Sequence, residues 1–305
     1  MSPEYVLITG ATGLIGTRLT QMLVECGHHV AHVSRSRGHG KIRTYTWNVK
    51  EQTIDPSAFN DATAIVQLAG ASVADKPWTK KRKKEILESR THSTALIATK
   101  LKEIPNKVKC FVSASGVNVY GFDKNGELFN EGDAPADDFL ARVVIQWEKE
   151  ADRVSELGIR TVKLRTGFVL SANGGALKEL ERPINLWVGA ALGSGEQLVS
   201  WIHIDDLCEM FIKAITDNSM TGVYNAGGPS PVSNKDLTKA IANVLRKPLW
   251  LPNIPGFVLK LLLGEMAELV LQGTSVSSLK IQQAGFNYRF ETLESALQDI
   301  YTKPK

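Results

Sequence analysis

Cysteine is scarce: Cys26, Cys110 and Cys208 lie far apart in 305 residues, with no paired spacing. That excludes a disulfide framework and argues against a zinc site, and it suits a reducing compartment, so a cytoplasmic protein is expected. Charge of one sign is lacking too. The formal net charge is +4, too small to imply a polyanionic partner. The six histidines include His28, His29 and His32 but show no metal spacing, so no metal is expected. The most apolar late segment, Phe257 to Leu271, is interrupted by Lys260, Glu265 and Glu268 and cannot span a bilayer. No charged start, apolar stretch and cleavage site precede the first strand-like run, so no targeting peptide is expected. The basic run Lys80-Lys81-Arg82-Lys83-Lys84 has no interleaved aromatics and reads as a solvated helix face, not a nucleic-acid surface. Repeats and low-complexity tracts are missing as well.

What is present is ordinary globular material, 43% apolar and 22% charged. The length suffices for one large domain, or a large and a small one. Tyr5–Thr9 is a short apolar run closed by glycine, which predicts a buried strand. Leu14 to Glu25 carries Ile15, Leu19, Met22 and Leu23 at helical spacing and stops at Gly27. The alternation continues with strands at 29–34, 64–69, 109–115 and 160–170 and helices at 80–102 and 139–156. Such alternation calls for an α/β fold, a Rossmann-type doubly wound parallel sheet. Beyond about residue 172 the rhythm weakens. Residues 173–175, 187–194 and 222–231 read as loops, 257–271 as a helical run and 293–300 as a final helix. The expected division is a dinucleotide domain over 1–172, to which later elements from about 201–228 return. The segments 173–200 and 229–305 then form a smaller C-terminal cap on the substrate side.

The turn Gly10-Ala11-Thr12-Gly13-Leu14-Ile15-Gly16 lies between a strand and a helix. Gly10 permits a tight turn, Gly13 lets the backbone approach a pyrophosphate, and Gly16 lets the helix pack on the strand. Amides from Thr12 to Ile15 then hold phosphates at the helix start. An acidic residue at the end of the second strand would select NAD, but Ser34-Arg35 stand there. A guanidinium pairs with a 2′-phosphate, so NADP(H) is the expected cofactor. Small residues at Leu68-Ala69-Gly70 would let the nucleotide cross the sheet edge. Arg90 falls on an apolar helical stripe with Ile86, Thr94, Ile97 and Leu101 and needs an anionic partner. That partner is either a cofactor phosphate or a carboxylate such as Glu148.

With these pieces, Phe111 to Gly121 and Trp201 to Leu207, the chain resembles an extended short-chain dehydrogenase/reductase, the superfamily of sugar-nucleotide epimerases and dehydratases. Trp78-Thr79-Lys80-Lys81, Gly195-Glu196-Gln197 and the tail from Leu251 to Phe286 are similar to a subgroup usually labelled only "epimerase family protein". The resemblance implies NADP contacts at Ser34, Arg35, Leu68, Ala69, Glu85, Arg90 and Val169, with Glu85 and Val169 resting on it alone. The superfamily works through a serine and a Tyr-x-x-x-Lys pair. Aligned on Glu148, those two positions hold Leu140 and Val144, neither able to move a proton. Counting back from Tyr120-Gly121 puts Gly116 at the serine position, beside Ser115.

Ser113, Ser115 and Tyr120 are the candidate catalytic replacements, near the carboxyl end of a strand where open sheets bind ligands. Tyr120 also reads as a packed aromatic. His203 reads as an acid/base or, better, as a hydrogen-bonded structural histidine. Asp205 and Asp206 read as caps of the following helix. Two functions fit: an NADP(H)-dependent oxidoreductase or epimerase-like enzyme on a small polar substrate, or a non-catalytic NADP(H) sensor or scaffold. A small-molecule substrate, no membrane partner and a monomer or homodimer are expected.

Overall fold

The computed structural model describes residues 3–38, 40–122 and 128–302. The first part of the chain runs β1 (Tyr5–Thr9), α1 (Leu14–Glu25), β2 (His29–Ser34), β3 (Arg43–Asn48), β4 (Thr53–Ile54), β5 (Ala64–Gln67) and α2 (Lys80–Glu103). The middle runs β6 (Cys110–Gly116), α3 (Phe139–Ser155), β7 (Arg160–Thr166), β8 (Phe168–Leu170), α4 (Ala176–Asn185), β9 (Leu198–Val199), β10 (Trp201–His203), α5 (Ile204–Thr216) and β11 (Gly222–Ala226). The rest is β12 (Val232–Ser233), α6 (Asn234–Val244), α7 (Gly256–Leu263), α8 (Glu268–Leu271), α9 (Leu279–Gln283) and α10 (Leu293–Thr302).

The main sheet has the order β11-β7-β6-β5-β1-β2-β3-β4. Its pairs are parallel except β3 with β4 at the edge. Alternate side chains of β1 feed opposite layers. Val6 and Ile8 join Leu19 and Leu23 of α1 and Leu207 and Phe211 of α5. Leu7 joins Ile97 and Leu101 of α2 and Val154 of α3. Helices cover both faces, so the sheet is doubly wound, and strands buried on both sides are apolar throughout. A separate core of Leu177, Trp201, Leu237, Ile241, Leu293 and Leu297 holds the smaller C-terminal part together.

Three expectations need correction, and one strand was not expected at all. Residues 160–170 are two strands, because the Gly167 amide bonds the Ala226 carbonyl while that of Phe168 turns to Ser200. Residues 222–226, read as loop, form the edge strand paired with β7. The 257–271 run is not one helix: Gly264, at φ +59°, ends α7 and α8 begins beyond it. Finally, β3 was passed over, although Tyr45 and Trp47 alternate with polar neighbours and are buried. Among the described residues no helix is long and apolar enough to cross a membrane.

Candidate functional site

From β1 the chain proceeds to β2 and β3 on one side, then returns to β5 on the other. Loops therefore diverge above the β1–β5 pair, where open α/β sheets bind ligands. A cleft of ≈ 390 Å³ opens there. One side is the glycine turn with Leu14, Ile15, Leu68, Gly70 and Val169; the other is Ser115, Asn118, Leu140, Val143, Val144 and Trp147.

The glycine side is built from backbone. Gly10 has φ +66°, and a Cβ there would lie 2.8 Å from the Ala69 nitrogen and the Leu68 carbonyl carbon. A Cβ on Gly16 would lie 2.5 Å from the Gly10 oxygen. Only glycine fits either place. Thr9, fully buried, ties the two loops: its hydroxyl donates to Gln67 Oε1 at 2.6 Å and accepts the amides of Leu68 and Ala69 at 3.1 and 3.2 Å. Gly13 is the N-cap of α1 and offers no side-chain acceptor, so the first amides of the helix lack a cap from it.

Arg90 lines the cleft beside Gly70. Its Nη1 donates to the carbonyls of Ala71 and Ile86 at 2.9 and 3.0 Å, and its guanidinium stands 5.3 Å from the Trp147 ring centroid. Burial, with the nearby Arg82 charge adding to it, lowers its pKa to about 10. Glu148 is not its partner. That carboxylate is held by Arg165, at 2.8 Å from Nε and 2.9 Å from Nη2. Among the described residues no carboxylate pairs with Arg90.

Beneath the α3 side lies a buried polar chain. The Ser115 hydroxyl donates to Glu148 Oε1 at 2.5 Å. Arg165 Nη1 donates to the Tyr120 hydroxyl at 2.7 Å, which donates to Asn225 Oδ1 at 2.8 Å, whose amide donates to the carbonyls of Phe129 and Ser277. Burial would raise the Glu148 pKa, yet the Arg165 bonds, its charge and the Ser115 hydrogen bond hold it below the usual carboxylate range. Two catalytic candidates therefore need correction. Tyr120 is 3% exposed, stacked on Phe129 at 5.1 Å and outside the cleft; burial first of all raises its pKa. Ser113 is 1% exposed and bonds the Ala114 carbonyl, below the cleft floor. Ser115 does line the cleft.

Sequence reasoning missed Arg165, Asn225 and Glu131, which accepts from Arg165 and from the Asn225 amide. A signal for Arg165 existed: a cation inside a strand with buried Val162 and Leu164 must have a partner.

Other expected residues fall in different places. Gly10, Gly13, Leu14, Ile15, Leu68, Gly70, Arg90 and Val169 line the cleft, with Leu140 and Val144 opposite. Thr12 is exposed on the turn, and Ala69 lies beside Gly10. Ser34 ends β2 and the exposed Arg35 follows it, next to β1. Glu85 is exposed and bonds Arg82 at 2.8 Å. Arg82 itself corrects the solvated-face reading: it is 6% exposed and also bonds the Ser72 carbonyl and Asp75, fixing the loop before α2. His203 is structural, capping α5 through the Asp205 amide and packed at 3.9 Å on Phe290. Asp205 and Asp206 are thus not caps. Asp205 holds Arg18 by two bonds, and Asp206 accepts the amides of Arg289 and Phe290.

A doubly wound sheet with a glycine turn at its switch point and a cleft above defines a Rossmann-type protein. Residues 6–227 match the NAD dependent epimerase/dehydratase family, and residues 254–300 match a domain of unknown function, DUF1731. The chain belongs to the NAD dependent epimerase/dehydratase family. It is 33% identical over 298 residues to human epimerase family protein SDR39U1, covering 97% of this chain and 99% of that one. It is 34% identical over 303 residues to epimerase family protein YfhF of Bacillus subtilis, covering 98% and 99%. A crystal structure of human SDR39U1 with NADPH is similar at TM-score 0.87 and 31% identity, over 97% of this chain and 98% of that one.

Proposed function

We propose that the chain binds NADP(H) in this cleft and acts as an oxidoreductase or epimerase-like enzyme on a small molecule seated against α3. The observation that carries the reading is Arg90, a cation on the cleft wall with no carboxylate beside it among the described residues. A buried guanidinium without an anion is costly, and a dinucleotide phosphate supplies one. The glycine turn fits the same group, since side chains at Gly10 and Gly16 would fill the space the backbone leaves. Uncapped α1 amides suit pyrophosphate oxygens. Ser34 ends β2 and Arg35 follows it, which supports a 2′-phosphate there, and the similar human protein was crystallised with NADPH.

When bound, the nicotinamide supplies hydride-transfer chemistry. The chain's own residues hold and orient it: Thr12, Leu14 and Ile15 at the phosphates, Leu68, Ala69, Gly70 and Val169 along its length. Glu85, which accepts a hydrogen bond from Arg82 at the start of α2, belongs to the same reading. Leu140, Val143 and Val144 form the apolar wall of the cleft on the α3 side. We also propose the division into a dinucleotide domain over 1–172, joined by 201–228, and a substrate-side region over 173–200 and 229–305. We extend the proposal to a cytoplasmic monomer or homodimer.

Fluorescence titration of NADPH and NADH against wild type and Arg35→Ala tests the cofactor. NADPH should bind at least tenfold more tightly, about 1.4 kcal/mol. Arg35→Ala should remove most of that gap, since charge-assisted hydrogen bonds are worth roughly 1.5–3 kcal/mol. Equal wild-type affinities overturn the NADP reading.

A further inference from the structure

Arg90 is the one ionisable group among the described residues that line the cleft. The hydroxyls there are already committed. Ser115 gives its only proton to Glu148, and Thr166 donates to the Leu164 carbonyl at 3.3 Å. Ser72, at the rim, hydrogen-bonds Asp75. Leu140 and Val144 stand 6% and 5% exposed on the α3 wall, with Val143 and Trp147 beside them. Asn118, half-buried, lines the same side.

These facts constrain the substrate in two ways. A sugar nucleotide would set its diphosphate charges against an apolar wall, with no cation beyond Arg90 to meet them. A simple ketone, on taking a hydride, becomes an alkoxide about as basic as hydroxide, whose conjugate acid has a pKa near 15.7. Without a protein acid that product is too high in energy. An enone avoids the problem, because its charge is delocalised over oxygen and carbon.

On the NADP(H) reading above, we propose that the substrate is an uncharged, largely apolar enone, held by the α3 wall and recognised at its carbonyl oxygen by Asn118. The substrate takes a hydride at its β carbon from reduced nicotinamide, which leaves oxidised. The C=C electron pair forms a new double bond between the α carbon and the carbonyl carbon, and the carbonyl π pair moves onto oxygen, where the Asn118 amide N–H stabilises it. Water from the open cleft then protonates the enolate at its α carbon, giving the saturated ketone and a hydroxide ion that passes to solvent. No protein side chain moves a proton.

Calorimetric titration with NADP⁺ present comes first, using benzylideneacetone, its saturated analogue benzylacetone, and UDP-glucose. The two apolar ketones should bind at least tenfold more tightly than UDP-glucose. Val144→Asp should weaken both at least tenfold, and Asn118→Ala should weaken them less. NADPH oxidation should then proceed with benzylideneacetone and not with benzylacetone, at a rate flat between about pH 6 and 9 because no protein acid titrates. Tighter binding of UDP-glucose, indifference to Val144→Asp, or equal turnover of the saturated ketone each overturns the inference. A separate NADPH titration keeps the two readings apart. If NADPH fails to bind, the cofactor reading falls; if it binds and the enone does not, only the substrate class falls.

Discussion

The two sides of the cleft are made from different materials. The glycine side is backbone: a turn between β1 and α1 whose shape is set by what Gly10 and Gly16 lack. The α3 side is side chain, an apolar wall over a buried Ser115–Glu148–Arg165–Tyr120–Asn225 chain of hydrogen bonds. A backbone cradle is local and serves any phosphate-bearing nucleotide. A wall standing on a buried ion pair draws its residues from β6, α3, β7 and β11, and it can change its chemistry while the support stays. Here Leu140 and Val144 occupy the face of α3 toward the cleft, and Glu148, one turn further on, anchors it from below.

The largest expected effect breaks the support of the α3 side. Glu148→Ala leaves Arg165 buried and unpaired, so stability in urea should fall by roughly 3–5 kcal/mol. A loss below about 1 kcal/mol would mean that Arg165 finds water or another anion, and the ion pair would not be the wall's foundation.

Gly10→Ala probes the other side. The added Cβ meets backbone at 2.8 Å in a conformation L residues avoid. NADPH affinity should drop on the order of a hundredfold, about 2.7 kcal/mol, in a fluorescence titration. Unchanged affinity would show that the loop at Leu68 and Ala69 yields easily, contrary to a rigid cradle.

Arg90→Met sharpens the boundary between the sides. NADPH binding should weaken about tenfold, while the apo protein melts at nearly the wild-type temperature, because no carboxylate is left behind. A less stable variant with normal binding would assign Arg90 a structural role instead.

The smallest effect lies outside both sides. Burial, opposed by the Arg289 and Phe290 amides, raises the Asp206 pKa from 3.8 to about 6. The folded state thus binds this proton more tightly than the unfolded chain. Its contribution to stability grows as pH falls through about 6 and levels off below 3.8. Asp206→Asn should remove that component, so the stability difference between wild type and variant should shift between pH 7.5 and 4.5. A pH-independent difference would show an unshifted carboxyl.

Legibility followed the same division. The turn, its strand and its helix were readable because glycine spacing and 3.6-residue periodicity are local signals, and Leu140 and Val144 did reach the cleft. Ser113 shares a face of β6 with Ser115 but lies two residues further from the strand's carboxyl end, and depth along a strand leaves no local signal. Tyr120 ends a 3-10 turn, Val117–Tyr120, that stacks it on Phe129. β11 was hidden because Gly222–Ala226 becomes strand only by pairing with β7, about sixty residues earlier in the chain.

By itself the sequence determined the strand–helix alternation and the glycine turn, since each depends on residues within a few turns of one another. Tertiary structure alone decided which charges pair. Glu148 lies between Arg90 and Arg165 in the chain, and only the packing of α3 on β7 gives it to Arg165, leaving Arg90 to the cleft. Partner choice among buried charges is settled by position in space, because a low-dielectric interior makes one close opposite charge outweigh every distant one.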